Sequence, residues 1–166
     1  MKRGMIALAV VVFLFFVGVT GRADESHHGY GHRSAEGHAA AIGMPGNPGD
    51  VTRSIEVEMS DAMRFKPDSI SVKRGETIRF IVRNTGNLEH EMVLGTIDEL
   101  KEHAERMRKS PEMEHDDPNM VSVEPGNTGE MIWQFTRDGK VDFACLEPGH
   151  LEAGMVGKIV VGHEGE

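Results

Sequence analysis

Phe143-Ala-Cys145-Leu-Glu-Pro-Gly-His150-Leu-Glu-Ala-Gly-Met155-Val-Gly-Lys-Ile-Val-Val161 decides the reading of this 166-residue chain. Cys145 is its one cysteine, and Cys145, His150 and Met155 fall within eleven residues. A soft thiolate, an imidazole and a thioether suit copper, and such donors build a trigonal His₂Cys plane with a long axial Met. A tightly wound loop cannot supply all four ligands, so the second imidazole is expected far upstream. His90, in Asn87-Leu-Glu-His90-Glu-Met-Val-Leu94, is the candidate. Taken singly, each residue has a plainer reading: Cys145 as a small buried hydrophobe, Met155 as core, His150 as a turn residue. The combination of types and spacing is what favours a metal.

The amino terminus points to export. Lys2 and Arg3 precede an apolar run from Met5 to Val19, and the small residues Gly21 and Ala23 follow. This is the order of a secretory signal peptide, with cleavage expected after Ala23. The run is short of the ~20 residues that a membrane span needs, so stable insertion is not expected. Residues 1–23 carry Lys2, Arg3 and Arg22 and no acid, so their removal takes the net charge from −9 to −12. Such a balance makes a poor nucleic-acid binder, since phosphate contacts draw on Lys and Arg, and no nucleic-acid partner is expected. It suits cation capture or a basic protein partner. A lone cysteine in an exported chain has no internal disulfide partner, and metal ligation explains its persistence where a free thiol would oxidise.

Residues 24–50 are poor in apolar side chains and rich in Gly, Ala, Ser and His, the composition of a disordered tail. His27, His28, His32 and His38 in it either gather metal loosely or are incidental to a solvated linker. From Val51 the pattern turns to period two, the signature of strands. Ile55, Val57 and Met59 alternate with polar residues, as do Ile70 and Val72, and Ile78, Phe80 and Val82 follow the same spacing. Later strands are expected at 121–123, 131–136, 140–145 and 156–161. Turns fall at Lys66-Pro67-Asp68, Arg74-Gly75, Asn84-Thr85-Gly86, Pro125-Gly126-Asn127 and Asp138-Gly139. Many short strands so punctuated predict an all-β Greek-key sandwich or barrel over 51–166. His90 is expected to reach Cys145 from the far side of that sandwich.

One segment breaks the β pattern. Thr96-Ile-Asp-Glu99 has the form of a capping box, and Ile97, Leu100, Ala104 and Met107 follow at helical spacing. Asp98 and Glu99 open the helix and Arg108 and Lys109 close it, as the macrodipole prefers, with Ser110-Pro111 as the stop. His103, Met107, Met113, His115 and Met120 lie on or after this inserted helix. They form a candidate auxiliary copper site, against the plainer reading of a helix face and solvated loop residues. Met92, two residues beyond His90, reads as core.

The copper loop quoted above resembles that of the cupredoxins, the type 1 copper proteins. Met63-Arg-Phe65-Lys-Pro67, Gly75-Glu76-Thr77 and Asn84-Thr-Gly86 through His90-Glu91 resemble the first half of the same family, so the likeness covers about residues 51–162. The Cys-x₄-His-x₄-Met spacing is similar to that of rusticyanin. The helix and the His- and Met-bearing loop after it look most like periplasmic cupredoxins associated with bacterial copper resistance. The resemblance implies His90, Cys145 and His150 as equatorial ligands and Met155 as axial ligand of one mononuclear copper. Glu91 departs from the Asn common there in azurins and plastocyanins, which bears on the potential and the colour of the site. The implied role is copper tolerance in the periplasm through binding and redox, and the alternative is an electron shuttle meeting a basic redox partner. An enzyme is not expected: copper oxidases and nitrite reductases need further copper clusters and more domains of this kind. A monomer is favoured.

Overall fold

A computed structural model describes residues 42–109 and 117–162. The expected signal peptide, the histidines of the tail, Met113 and His115 lie outside the described residues.

Among the described residues, ten strands form two five-stranded sheets. One holds, in spatial order, β1 (Met44–Pro45), β8 (Thr128–Gln134), β5 (Thr77–Asn84), β2 (Arg53–Ser60) and β3 (Arg64–Lys66). The other holds β4 (Ser69–Lys73), β10 (Val156–Gly162), β9 (Gly139–Ala144), β6 (His90–Gly95) and β7 (Met120–Val123). β2 runs parallel to β5 and β10 parallel to β4, while the other neighbours are antiparallel. The period-two strands behave as alternation requires. Val57 and Met59 of β2, Ile70 and Val72 of β4, and Ile78, Phe80 and Val82 of β5 turn inward to a core closed by Trp133, Phe135, Phe143 and Ile159.

β6 does not alternate, and all six of its residues are buried. Its outer face is covered by the one described α-helix, α1 (Ile97–Lys109). The capping box forms as the sequence predicts: Thr96 N donates to Glu99 Oε2 (2.9 Å), and Glu99 N donates to Thr96 Oγ1 (3.4 Å). Leu100 then seats on Val93, Ala144 and Leu146, a small cluster separate from the inter-sheet core, with Ala104, Met120, Leu151 and Val156 packed around it. Helix burial thus converts a half-exposed strand into a fully buried one at the point where the site is built.

Two expectations need correction. The ordered domain begins before residue 51. Ile42 is buried, its carbonyl accepts from Trp133 Nε1 (3.0 Å), and Met44–Pro45 pair with Gln134 and Trp133. A side chain at Gly43, whose φ is +128°, would overlap the Gln134 carbonyl. Composition alone hid this anchor, because the indole that holds it lies about 90 residues away. The second correction concerns His90, which does not reach Cys145 from across the sandwich. β6 and β9 are neighbours in one sheet, in the register Val93↔Ala144 and Leu94↔Phe143, so His90 and Cys145 meet where adjacent strands end. A period-two pattern reports which face a residue takes, not which strands adjoin.

Candidate metal centre

Three of the four residues singled out in the sequence converge. The ligand atoms of His90, Cys145 and His150 all lie within 4.8 Å of one another. Cys145 Sγ is 3.2 Å from His150 Nδ1 and 3.9 Å from His90 Nδ1. The two rings stand 4.9 Å apart, tilted by 48°. His90 and Cys145 are fully buried and His150 is half-buried, so the group is closed towards the core and reaches the surface only at His150. Among the described residues, no second group of three His, Cys, Asp or Glu side chains closes in this way. Met155 is fully buried in the same core cluster as Cys145. His103 and Met107 sit half-buried on α1, and Met120 packs on the outer cluster instead of the centre. Met92 is wholly buried in the main core.

The loop from Cys145 to Met155 is held by its own backbone. His150 N donates to the Glu147 carbonyl (2.9 Å), Met155 N to the His150 carbonyl (3.0 Å), and Cys145 N to the Met155 carbonyl (3.1 Å). Gly149 and Gly154 take φ of +89° and +92°, the left-handed region that glycine enters without strain. Arg64, from the other sheet, donates to the Ala153 carbonyl (3.1 Å) and ties the loop down. On the upstream side, buried Asn84 donates through Nδ2 to the carbonyls of Leu88 (2.7 Å) and Val123 (2.8 Å) and accepts from Gly86 N (2.9 Å). That asparagine, read in the sequence as a turn residue, holds the segment leading to His90.

Glu91 occupies the space beside the thiol. Its backbone N–H donates to Cys145 Sγ (3.4 Å), and its carboxylate accepts from Leu146 N (2.9 Å) and Ser122 Oγ (3.5 Å). Burial, only partly offset by the Leu146 amide, pushes its carboxyl up to about 7. Asp61, which the sequence reading passed over, lies 3.2 Å from His90 Nε2. The Asn87 amide foremost, with the Leu88 amide, holds its carboxyl down to about 2.

The chemistry of the group follows from these surroundings. Burial pushes the Cys145 thiol up to about 12, so without metal it is a protonated, unreactive SH. A metal must replace that proton to bind. Burial foremost, then the neighbouring His90, lowers His150, which favours the neutral ring with a lone pair to give. One soft sulfur and two imidazole nitrogens, converging where two of the three side chains are fully buried, fit copper.

The sequence pattern of the copper binding proteins, plastocyanin/azurin family, matches residues 51–162, the span that contains all three converging residues. The chain belongs to that family. A copper-resistant cuproprotein CopI of Rubrivivax gelatinosus is 48% identical over 164 residues, covering 97% of this chain and 99% of its own. A protein of the same name from Pseudomonas aeruginosa is 37% identical over 158 residues, covering 78% and 87%. The reduced auracyanin of Roseiflexus castenholzii superposes with a TM-score of 0.59 at 20% identity, covering 67% of this chain and 98% of its own, which shows the shared cupredoxin fold. The centre is therefore a copper site built on a cupredoxin frame.

Proposed function

We propose that this cupredoxin serves copper tolerance by binding copper at one mononuclear centre, with His90, Cys145 and His150 as equatorial ligands and Met155 as the axial one. The convergence of the three donors within 4.8 Å carries the reading. The 48% identity to a protein named as copper-resistant, over 97% of this chain, supports the physiological side. Bound copper would supply a one-electron Cu(II)/Cu(I) couple. The protein supplies the donor set on a loop tied by its own backbone hydrogen bonds. Burial of His90 and Cys145 keeps water from the ligands, and half-buried His150 is the route for electrons or exchange.

Export through residues 1–23 places the protein in the periplasm, where a tail bearing His27, His28, His32 and His38 gathers ions. Among the described residues no helix is long and apolar enough to cross a membrane. The protein acts by binding and redox, not by turnover of a substrate. The acidic surface favours a basic partner in any electron exchange.

The Cu(II)-loaded protein is expected to show an intense visible thiolate-to-copper band that Cys145→Ser abolishes. A cell lacking the gene is expected to become copper-sensitive, and to regain tolerance with the wild-type gene but not with Cys145→Ser. An unchanged band in Cys145→Ser overturns the ligand set. Normal copper tolerance in the deletion strain, together with a lost respiratory activity, overturns the tolerance role in favour of a shuttle.

A further inference from the structure

We propose that Asp61 is a positioning carboxylate for the copper centre, fixing the tautomer of His90 through its Nε2 and weighting the centre towards the divalent ion. The inference rests on the reading of His90 as a ligand and extends it to a residue of the opposite sheet. Asp61 lies in the turn between β2 and β3, whereas His90 opens β6 in the other sheet. Its Oδ1 is 3.2 Å from His90 Nε2. An ionised carboxylate only accepts hydrogen bonds. A proton on Nε2 therefore completes this hydrogen bond, and the lone pair of Nδ1 is left on the nitrogen 3.9 Å from Cys145 Sγ. The metal-binding nitrogen is selected by the hydrogen bond its partner nitrogen makes.

Asp61 is itself held in place. It accepts from Asn87 N (2.8 Å to Oδ2), Asn87 Nδ2 (3.1 Å) and Leu88 N (3.2 Å). The space for its carboxylate exists because residue 86 is glycine: a Cβ there would overlap Oδ1. The turn that carries His90 and the carboxylate that orients it are thus one unit. A carboxylate on the far nitrogen of a ligating imidazole raises the basicity of that ligand. Its negative charge, set against a fully buried ring, favours the ion of higher charge.

Two variants separate orientation from charge. Asp61→Asn keeps an oxygen to accept from Nε2 and removes the charge, whereas Asp61→Ala removes both. Nitrogen-15 NMR of the metal-free protein at neutral pH reads the His90 tautomer, and chelator competition reads Cu(II) and Cu(I) affinities. The wild type and Asp61→Asn are expected to carry the proton on Nε2, and Asp61→Ala to populate the Nδ1-protonated form. Both variants are expected to lose about tenfold in Cu(II) affinity relative to Cu(I), the lower end of outer-shell effects on metal binding. That corresponds to a rise of about 59 mV in a one-electron potential. The inference is overturned by an Nδ1 proton in the wild type, by a single Nε2 tautomer in Asp61→Ala, or by a Cu(II)/Cu(I) ratio in Asp61→Asn within threefold of wild type. A loss of thermal stability without a change in that ratio makes Asp61 a loop tie only and also overturns it. If Asp61→Ala does not fold, the wild-type tautomer and Asp61→Asn still decide. The visible band and its Cys145→Ser control report separately on the ligand set, and the metal-free tautomer does not depend on it.

Discussion

Replacing Leu100 with alanine tests whether α1 is a structural lid over β6 and the end of β9, which lead to the proposed copper ligands His90 and Cys145. Leu100 is 2% exposed and packs on Val93 of β6 and on Ala144 and Leu146, which flank Cys145 in the sequence. Leu→Ala in a core removes the transfer free energy of the lost methyl groups and leaves a cavity, costing roughly 2–5 kcal/mol in all. The cluster here is small and its rim residues, Ala104 and Leu151, are only partly buried. Partial collapse is therefore available, and a loss of about 3 kcal/mol is expected. For a domain of this size that lowers Tm by about 10 °C. The assay is urea unfolding of the metal-free protein followed by the fluorescence of Trp133, a fully buried reporter in the opposite sheet. The visible band of the copper-loaded variant is expected to keep its position, because Cys145 and Met155 belong to the inter-sheet core and not to the cluster under the helix. A stability loss below ~1 kcal/mol would refute the claim that α1 is what buries the outer face of β6, and a displaced band would refute the independence of the two clusters.

Glu76 gives the fold a pH dependence far from the copper. Although burial pushes its carboxyl up, hydrogen bonds from Arg53 and the Lys73 amide win and hold it below its ordinary value of 4.5. A depressed carboxylate stabilises the fold above the unfolded value and loses that contribution as pH falls through the folded one. The stability difference between the metal-free wild type and Glu76→Gln is therefore expected to be constant near neutrality and to shrink below about pH 4.5. A difference that stays flat down to pH 3 would remove Glu76 from the account. Truncation locates the domain edge. Removing residues 24–41 is expected to leave urea stability unchanged, whereas removing 24–46 also takes away Ile42, its bond from Trp133 Nε1 and the β1 pairing, at a cost of about 2 kcal/mol or more. Equal midpoints for the two truncations would return residues 42–46 to the tail.

Much of the fold was legible because the signals are local. The inward faces of β2, β4 and β5 follow from alternation in Ile55–Met59, Ile70–Val72 and Ile78–Val82. The helix follows from Thr96 and Glu99 together with Leu100 and Ala104. β6 carried no such signal. A strand buried on both faces has no alternation, and what buries its second face is a helix that arrives later in the chain.

By itself, the sequence determined the donor types and their order: a single thiolate five residues before one imidazole and ten before a thioether, with a second imidazole 55 residues upstream. Those are covalent facts, and the preferences of copper for soft sulfur and imidazole act on them directly. Only the tertiary structure decided how the two segments meet. They meet side by side in one sheet, because strand neighbours are chosen by long-range pairing and not by periodicity. It also decided that Glu91 lies against the thiol and that Asp61, 29 residues before His90, bears on the ring. No spacing rule links Asp61 to His90. Their contact exists only because the two sheets close on one another.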